Sequence, residues 1–248
     1  MKYSLIFFDE LKSTNYFLSE KLKVDNSIGE GLVICADYQT QGRGQATNCW
    51  ESERGKNLLF TFLLRPKKIF ASEQFVISQI VALSIKDVLE TFLEKNISIK
   101  WPNDIYVQDK KIAGILIENT LCGSTIKESI VGVGLNVNQE IFMSDAPNPI
   151  SMKSIAQKEF DRRLVLEKIL QRFEFYYKDL KEQKRLKIAE IYKDSLYRKT
   201  GFHLFENDEK GCFLGKIYDV LPTGQLVLVQ KDNGQKMIFS FKEIRFCT

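Results

Sequence analysis

Four short stretches of the chain place polar or small residues at the ends of apolar runs, where ligand-binding side chains are often found. They are "STN" (13–15), "QTQGRGQATNCW" (39–50), "KWPNDIYVQDKKIAGILIE" (100–118) and "GVGLNVN" (132–138). Each stretch alone has an ordinary explanation, since "STN" is a common helix cap and paired glycines permit close packing of strands. Together they offer hydroxyls, amides, a carboxylate and two cations that could bind one ligand.

The stretch "KWPND" is the hardest to explain as ordinary structure. Trp101 and Pro102 are both costly inside a regular strand, so we expect them to interrupt the sheet and to present Asn103 and Asp104 at its edge. An amide beside a carboxylate suits hydrogen bonds to a sugar-phosphate or to a magnesium shell. Because magnesium is usually held by one or two carboxylates together with substrate phosphates, Asp104 alone would suffice as its protein ligand.

Two cations accompany these groups. Arg43 lies between Gly42 and Gly44, and Lys111 begins an apolar run. A surface turn and a solvated lysine are the ordinary interpretations. Arginine also binds carboxylates and phosphates through two parallel hydrogen bonds, and glycine lets the backbone approach a ligand closely. This set of groups would bind a nucleotide together with a carboxylic acid.

Composition and charge exclude several other classes of protein. Of the 248 residues 44% are hydrophobic and 27% are charged, as in ordinary globular proteins, and the net charge of +4 is too small to indicate nucleic acid. The five cysteines are widely spaced without a CxxC pair, which predicts free thiols in a reducing cytoplasm. With His203 as the only histidine, a Ser-His-Asp hydrolase or a histidine-ligated metal site is improbable. The opening run "SLIFF" is too short for a signal peptide or a membrane span.

Hydrophobic patterns predict the elements that carry these groups. Residues 3–8 read as a short buried strand, and Ser13 and Thr14 read as the N-cap of an amphipathic helix. Strands are also predicted at 31–38 and 56–65, and four β-prone runs lie between 97 and 138. Ser72 is expected to open the clearest helix, followed by helices at about 160–182 and 184–197. One face of the Ser72 helix carries Ile77, Val81, Ile85, Val88 and Phe92.

From about residue 200 short alternating runs are separated by "PTG" and "DNG" turns, which predicts a small antiparallel β-barrel. The fold class is therefore α+β. We expect a catalytic domain over residues 1–197, with a mixed β-sheet and flanking helices, and a C-terminal barrel domain over residues 198–248.

In this order, the four stretches closely resemble the biotin protein ligases (biotin–acetyl-CoA-carboxylase ligases) over nearly the whole chain. "GRG…W", "KWPND", "KIAGIL" and "GxGLN" are together highly specific for that family. The resemblance implies a sheet of the biotin ligase and class II aminoacyl-tRNA synthetase type and an SH3-like C-terminal barrel. It implies activation of biotin by ATP and Mg²⁺ to biotinyl-5′-adenylate, with release of pyrophosphate. Biotin would then pass to one lysine of a biotin carboxyl carrier domain, as in acetyl-CoA carboxylase.

The resemblance also implies roles for individual residues. Arg43 and Lys111 would be catalytic, because they would contact the biotin carboxylate and the α-phosphate. The barrel would help to dock the carrier domain and would approach the nucleotide. For biotin the resemblance implies Ser13, Thr14, Asn15, Gln39, Arg43, Gly44, Gln45, Lys111, Gly114, Gly132 and Gly134. For ATP it implies Arg43, Trp50, Asn103, Lys111 and Asn136, with Asp104 as the metal ligand.

Two departures from the family pattern lead to further expectations. Many such ligases carry a DNA-binding helix-turn-helix domain before the catalytic domain, whereas here Ser13 lies near the first residue. We therefore expect a monofunctional ligase that does not bind DNA. Family loops also commonly carry a second basic residue and a third glycine where this chain has Ala46 and Thr47. We expect this loop to hold the adenylate less firmly.

Two alternatives fit the sequence less well. A lipoate–protein ligase is a related fold with the same adenylation chemistry, but its loop and lysine motifs differ from "GRG…KWPND". The intact Lys111 and Arg43, and the expected lack of a DNA-binding domain, argue against a non-catalytic biotin sensor or nucleic-acid-binding regulator. The residues do not decide whether the chain is a monomer or a homodimer.

Overall fold

The computed structural model describes residues 1–45, 48–143, 148–209 and 211–247. Within these ranges a mixed seven-stranded sheet forms the larger part of the molecule. Its strands are β1 (Ser4–Phe8), β2 (Leu32–Ala36), β3 (Leu58–Leu64), β4 (Ile97–Lys100), β5 (Asp104–Val107), β6 (Lys110–Cys122) and β7 (Thr125–Leu135). They lie in the order β1-β2-β3-β7-β6-β5-β4, in which β1 and β2 are parallel and the remaining pairs are antiparallel. The predicted α+β architecture is confirmed.

Helices cover both faces of this sheet. They are α1 (Thr14–Val24), α2 (Phe75–Leu93), α3 (Met152–Ala156), α4 (Arg162–Lys181) and α5 (Arg185–Asp194). Leu18 of α1 packs in a small cluster with Ile34, Leu63 and Ile130 on one face of the sheet. Helices α2, α4 and α5 contribute to the large core, which includes the alternate side chains of the same strands. The strands are therefore apolar on both faces, as expected for a covered sheet.

The start of α1 was predicted correctly, whereas the start of α2 was not. Ser13 caps α1, and its side chain accepts a hydrogen bond from the backbone N–H of Tyr16. Ser72, in contrast, does not begin α2. It lies in a 3₁₀ turn, Ala71–Glu73, and α2 begins at Phe75 without a side-chain cap. A serine before an apolar run predicts a helix nearby but cannot distinguish an α-helical first turn from a 3₁₀ turn.

The prediction of a buried first strand was wrong. β1 forms, but it lies at the edge of the sheet, and Leu5, Ile6 and Phe7 are 38%, 38% and 46% exposed. An apolar run indicates a strand, whereas its position within the sheet depends on the order in which all strands assemble.

The C-terminal strands form a separate five-stranded antiparallel sheet. They are β8 (His203–Asn207), β9 (Gly211–Val220), β10 (Leu226–Gln230), β11 (Lys236–Phe239) and β12 (Arg245–Phe246), in the order β11-β10-β9-β8-β12. Both predicted turns form, and their glycines, Gly224 and Gly234, have positive φ angles of 99° and 68°. This sheet is consistent with the expected SH3-like unit, while the division between residues 197 and 198 stays a prediction.

The two sheets meet at the "KWPND" turn. The Trp101 indole Nε1 donates a hydrogen bond of 2.8 Å to the carbonyl oxygen of Gly224, and its ring lies 5.4 Å from that of Phe241. A Cβ on Gly224 would stand 2.7 Å from the Phe75 ring, so only glycine fits this contact without rearrangement. Trp101 is thus buried at the junction, and the turn that it begins is held against the second sheet.

None of the described helices combines the length and the apolar composition that a membrane span requires. All five cysteines are free thiols, as the sequence predicted.

Candidate active site

A cavity of about 460 Å³ lies over the central strands β6 and β7, within the usual size range for small-ligand pockets. Its walls come from the start of α1, loop residues within 39–45 and 48–50, the "KWPND" turn and residues 242–246 of the second sheet. The cationic side chains that line it are Arg43, Lys100, Lys111, Lys242 and Arg245, and the only lining carboxylate among the described residues is that of Asp104. Five cations against one carboxylate favour an anionic ligand.

Asn15 anchors one end of the cavity. Its Nδ2 donates to the Glu118 carboxylate at 2.7 Å and to the Leu116 carbonyl at 3.3 Å, and its Oδ1 accepts from the Thr61 hydroxyl at 2.6 Å. Gly132 lies directly opposite, where a Cβ would stand 2.2 Å from Asn15 Oδ1. Gly132 is therefore required by the position of the amide, and Asn15 is held rigidly before any ligand binds.

Thr14 and Gln39 extend this polar network. The Gln39 Oε1 accepts from the backbone N–H of Thr14 at 2.7 Å and from its hydroxyl at 3.0 Å. Thr61, fully buried on β3, lies 2.7 Å from the Thr14 hydroxyl. Thr61 was not predicted for the site, although its position as the one polar residue in the apolar run "LLFTFLL" marks it. Ser13 lines the cavity beside them while capping α1.

The described part of the glycine loop folds back on itself as a narrow hairpin. The backbone N–H of Gly44 donates to Asn48 at 2.7 Å, and that of Trp50 donates to Gly42 at 3.0 Å. A Cβ on Gly42 would stand 2.5 Å from the Trp50 carbonyl oxygen, so the close backbone approach requires glycine. Gln45 also lines the cavity. Ala46 and Thr47, where the loop departs from the family pattern, lie outside the described residues.

Arg43 and Lys111 contact different carboxylates. Arg43 Nη2 contacts both carboxylate oxygens of Glu118, at 3.1 and 3.2 Å, whereas Lys111 Nζ lies 2.7 Å from Asp104 Oδ1. Lys111 Nζ is close to Gly114 of β6. Glu118 lies four residues further along the same strand, and four residues of extended strand span about 13 Å. Partly exposed ion pairs contribute only ~0–1 kcal/mol, so an anionic ligand can displace either one.

Trp50 covers the floor of the cavity. A Cβ on Gly134 would stand 2.4 Å from its Cε2, and a Cβ on Gly114 would stand 3.0 Å from its Cζ3. Lys111 Nζ lies 5.6 Å from the centroid of the indole ring. The indole Nε1 is buried and has no hydrogen-bond partner among the described residues. Because an unpaired buried donor is unfavourable, this atom suits a hydrogen-bond acceptor on a ligand.

The two predicted asparagines on the nucleotide side have structural contacts. Asn103 lines the cavity, but its Nδ2 donates to the Ile115 carbonyl at 2.7 Å and so joins the turn to β6. Asn136 is buried, donates to the Ile150 carbonyl at 3.1 Å and does not line the cavity. Of the residues predicted for the site, Asn136 is the one that the fold does not bring to it. Asn136 directly follows β7, which ends at Leu135, and its side chain contacts the Ile150 carbonyl instead of the cavity.

Three lining cations had no assigned role in the sequence analysis. Lys100 donates to the Tyr106 hydroxyl at 3.1 Å and lies over the rings of Tyr106 and Phe246, and burial lowers the pKa of its ammonium group. Arg245 pairs with Glu206 at 3.1 Å and also with Asp208, and Lys242 completes the same wall. Lys100 lies within a recognised motif, but no local signal marks Lys242 or Arg245. Their place depends on how the second sheet docks.

The described residues include no group of three or more His, Cys, Asp or Glu side chains that could hold a metal ion. Asp104 is the only lining carboxylate in these ranges and already contacts Lys111. The donor set therefore fits a divalent cation that arrives with substrate phosphates, as magnesium often does, better than one held by the protein alone.

A mixed sheet carries a cation-lined cavity that is bordered at one side by a glycine loop and at another by a small antiparallel sheet, an arrangement suited to an anionic small molecule. Residues 7–136 match the model of the biotin/lipoate A/B protein ligase family. The bifunctional ligase/repressor BirA of Bacillus subtilis is 30% identical over 241 residues, which cover 95% of this chain and 72% of that protein.

Solved structures agree with the sequence relatives. The biotin protein ligase of Aquifex aeolicus, solved in complex with biotin and ATP, has a TM-score of 0.80 at 29% identity, covering 98% of this chain and 99% of that one. A point mutant of the same Aquifex enzyme, solved with biotin, has a TM-score of 0.79 at 28% identity, covering 98% of both chains. The chain therefore belongs to the biotin/lipoate A/B protein ligase family, and among its members it is an enzyme of the biotin–protein ligase type.

Proposed function

We propose that this ligase activates biotin with ATP to biotinyl-5′-adenylate and transfers the biotinyl group to a lysine of a biotin carboxyl carrier domain, such as that of acetyl-CoA carboxylase. The position of Lys111 carries this proposal. Its ammonium lies beside Gly114 and the Trp50 ring, in a cavity that Asn15, Lys242 and Arg245 also line. A carboxylic acid entering from one end and a triphosphate from the other would meet at this cation.

The first step brings two anions together. A carboxylate oxygen of biotin attacks the α-phosphorus, the bond to the bridging oxygen of the β-phosphate breaks, and pyrophosphate leaves. Lys111 would stabilise the charge that develops on the α-phosphate, because a preorganised cation in a partly closed site acts strongly on it. Lys100, Lys242 and Arg245 line the cavity where the departing pyrophosphate would lie. Neither this step nor the next requires a protein nucleophile.

Magnesium would supply further charge neutralisation on the phosphates. Asp104 is the protein group that would contact it. Lys111 lies 2.7 Å from Asp104 Oδ1, so the ammonium and the metal-binding carboxylate would act side by side on the phosphates.

The second step forms an amide. The ε-amine of the acceptor lysine attacks the acyl carbon of the mixed anhydride, AMP leaves and the amine loses a proton. Since water could attack the same carbon, the adenylate must be covered until the acceptor arrives. Loop residues 39–45 and 48–50 would help to do so. Gln39 accepts from Thr14, and Arg43 contacts Glu118, which in turn accepts from Asn15 where biotin would bind.

Pyrophosphate exchange tests the proposal. The protein is incubated with ATP, Mg²⁺ and labelled pyrophosphate, with biotin, with lipoate or with no acid, and a biotin carboxyl carrier domain is added in a second stage. We expect exchange that depends on biotin and labelling of one carrier lysine. Exchange with lipoate alone would indicate a lipoate ligase, and binding of biotin without exchange would indicate a sensor. That the protein does not bind DNA stays a prediction.

A further inference from the structure

Glu118 lies at the junction between the acid end of the cavity and the glycine loop. One of its oxygens, Oε2, accepts a hydrogen bond of 2.7 Å from Asn15, and both oxygens contact Arg43 Nη2. No role was assigned to this residue from the sequence, and it lies just outside the lining of the cavity. It nevertheless contacts two residues expected to bind the substrate, which come from α1 and from the loop.

The contact determines where Arg43 points. Arg43 Nη2 pairs with Glu118, whereas Lys111 Nζ pairs with Asp104, so the two cations have different carboxylate partners. For Arg43 Nη2 to contact a phosphate of an acyl-adenylate, that phosphate must replace the Glu118 carboxylate beside it.

We propose that Glu118 is a positioning residue with two separable effects: it holds Arg43 beside Asn15 until the adenylate binds, which we call the open position, and it orients the Asn15 amide. This inference rests on the proposed function, because it assigns Arg43 to the adenylate in the closed state. The partners are 45% and 39% exposed, so the pair is weak enough for a phosphate to replace it. A phosphate offers Arg43 the same paired acceptors with more charge.

Two substitutions separate the two effects. Glu118→Gln removes the negative charge that holds Arg43 but keeps an oxygen that accepts from Asn15. Glu118→Ala removes both contacts. The matched control is Glu128→Gln, because Glu128 lies on the neighbouring strand β7 and also pairs with an arginine, Arg65, at 3.6 Å. Neither member of that pair lines the cavity.

The first measurement needs no substrate. In limited tryptic digestion of the ligand-free protein, we expect Glu118→Gln to accelerate cleavage after Arg43 about two- to fivefold, because an exposed ion pair contributes that much protection. The fragment ending at Arg43 is quantified by mass spectrometry. The Glu128→Gln variant should cleave at the wild-type rate. Equal cleavage in Glu118→Gln and the wild type would overturn the proposed hold on Arg43.

The second measurement is affinity for biotin in the presence of a non-hydrolysable ATP analogue, by calorimetry. We expect Glu118→Gln to bind about two- to fivefold more tightly, because the open state loses its stabilising contact. Glu118→Ala should bind more weakly than Glu118→Gln, because Asn15 then loses its partner. In an Arg43→Ala background, Glu118→Gln should have no effect. The proposed role of Glu118 would be contradicted if Glu118→Gln bound biotin more weakly than the wild type. It would also be contradicted if Glu118→Gln changed the affinity equally in the Arg43→Ala background.

Failure of this inference and failure of the proposed function are distinguishable. If the wild-type protein shows no biotin-dependent exchange, the function is wrong, whereas the tryptic result still reports the contact between Glu118 and Arg43. If exchange is normal and Glu118→Gln matches the wild type in both measurements, the function stands and the role of Glu118 is refuted.

Discussion

Lys111 Nζ and Asp104 Oδ1 lie 2.7 Å apart on the neighbouring strands β6 and β5. The cation expected to act at the reacting phosphate and the carboxylate expected to contact magnesium thus form an ion pair with each other. The same arrangement recurs in Arg43 with Glu118 and in Arg245 with Glu206. These cations are held in place by carboxylates that a more highly charged ligand can displace.

Replacing Lys111 by alanine should lower the rate of biotin-dependent pyrophosphate exchange by about 100- to 1,000-fold, the usual effect of removing one preorganised group that stabilises developing charge. The adjacent Lys110→Ala is the control, because Lys110 is exposed and lies outside the cavity. If Lys111→Ala exchanges pyrophosphate near the wild-type rate, another residue supplies the positive charge at the α-phosphate.

Arg43→Ala should also lose most adenylation, and its adenylate should dissociate faster because the loop loses its charged contact. Single-turnover formation and filter-binding release of the adenylate measure the two effects separately. If formation and release both match the wild type, Arg43 makes no contact with the adenylate.

Gly134→Ala should displace the indole of Trp50, because the new Cβ would stand 2.4 Å from the ring. We expect about 1–3 kcal/mol of lost stability from this overpacking, together with stronger quenching of tryptophan fluorescence by acrylamide. Gly29→Ala is the control, since a Cβ there would meet nothing within 4 Å. Unchanged quenching in Gly134→Ala would mean that Trp50 does not rest on residue 134 in solution.

Trp101→Phe should weaken the attachment of the second sheet. The substitution keeps an aromatic ring but leaves the buried Gly224 carbonyl without its 2.8 Å donor, a loss of about 1–3 kcal/mol. Urea denaturation measures the change. Tyr218→Phe, on the exposed surface of the second sheet, should stay within about 0.5 kcal/mol of the wild type.

The charge of Lys100 should make nucleotide binding sensitive to alkaline pH. Burial disfavours the ammonium form, so the pKa of Lys100 lies below that of an ordinary lysine, which is about 10.4. As pH rises through this lowered pKa, Lys100 loses its charge before exposed lysines do, and affinity for ATP should fall. Lys100→Arg keeps the charge, so its affinity for ATP, measured by calorimetry at each pH, should fall less at alkaline pH. If the fall persists in Lys100→Arg, another group causes it.

Several features were determined by local sequence. The 3.6-residue spacing of Ile77, Val81 and Ile85 predicted the buried face of α2, and all three are essentially inaccessible. The glycines of the "PTG" and "DNG" turns predicted tight connections, and both adopt the positive φ that favours glycine. These outcomes follow from helix periodicity and backbone sterics, which act over a few residues and can be read in order along the chain.

The candidate site was predicted as a set of residues, but its internal contacts were not. The motifs indicated that Asn15, Arg43 and Lys111 belong to one cavity, and the fold brings all three to it. That Arg43 is held by Glu118, 75 residues away, and that Trp101 bonds to Gly224, 123 residues away, could not be read from either segment. The edge position of β1 and the displacement of Asn136 from the cavity belong to the same category. Such contacts depend on the assembled sheet order and on how the second sheet docks, and these arise only when segments distant in the chain bury one another's surfaces.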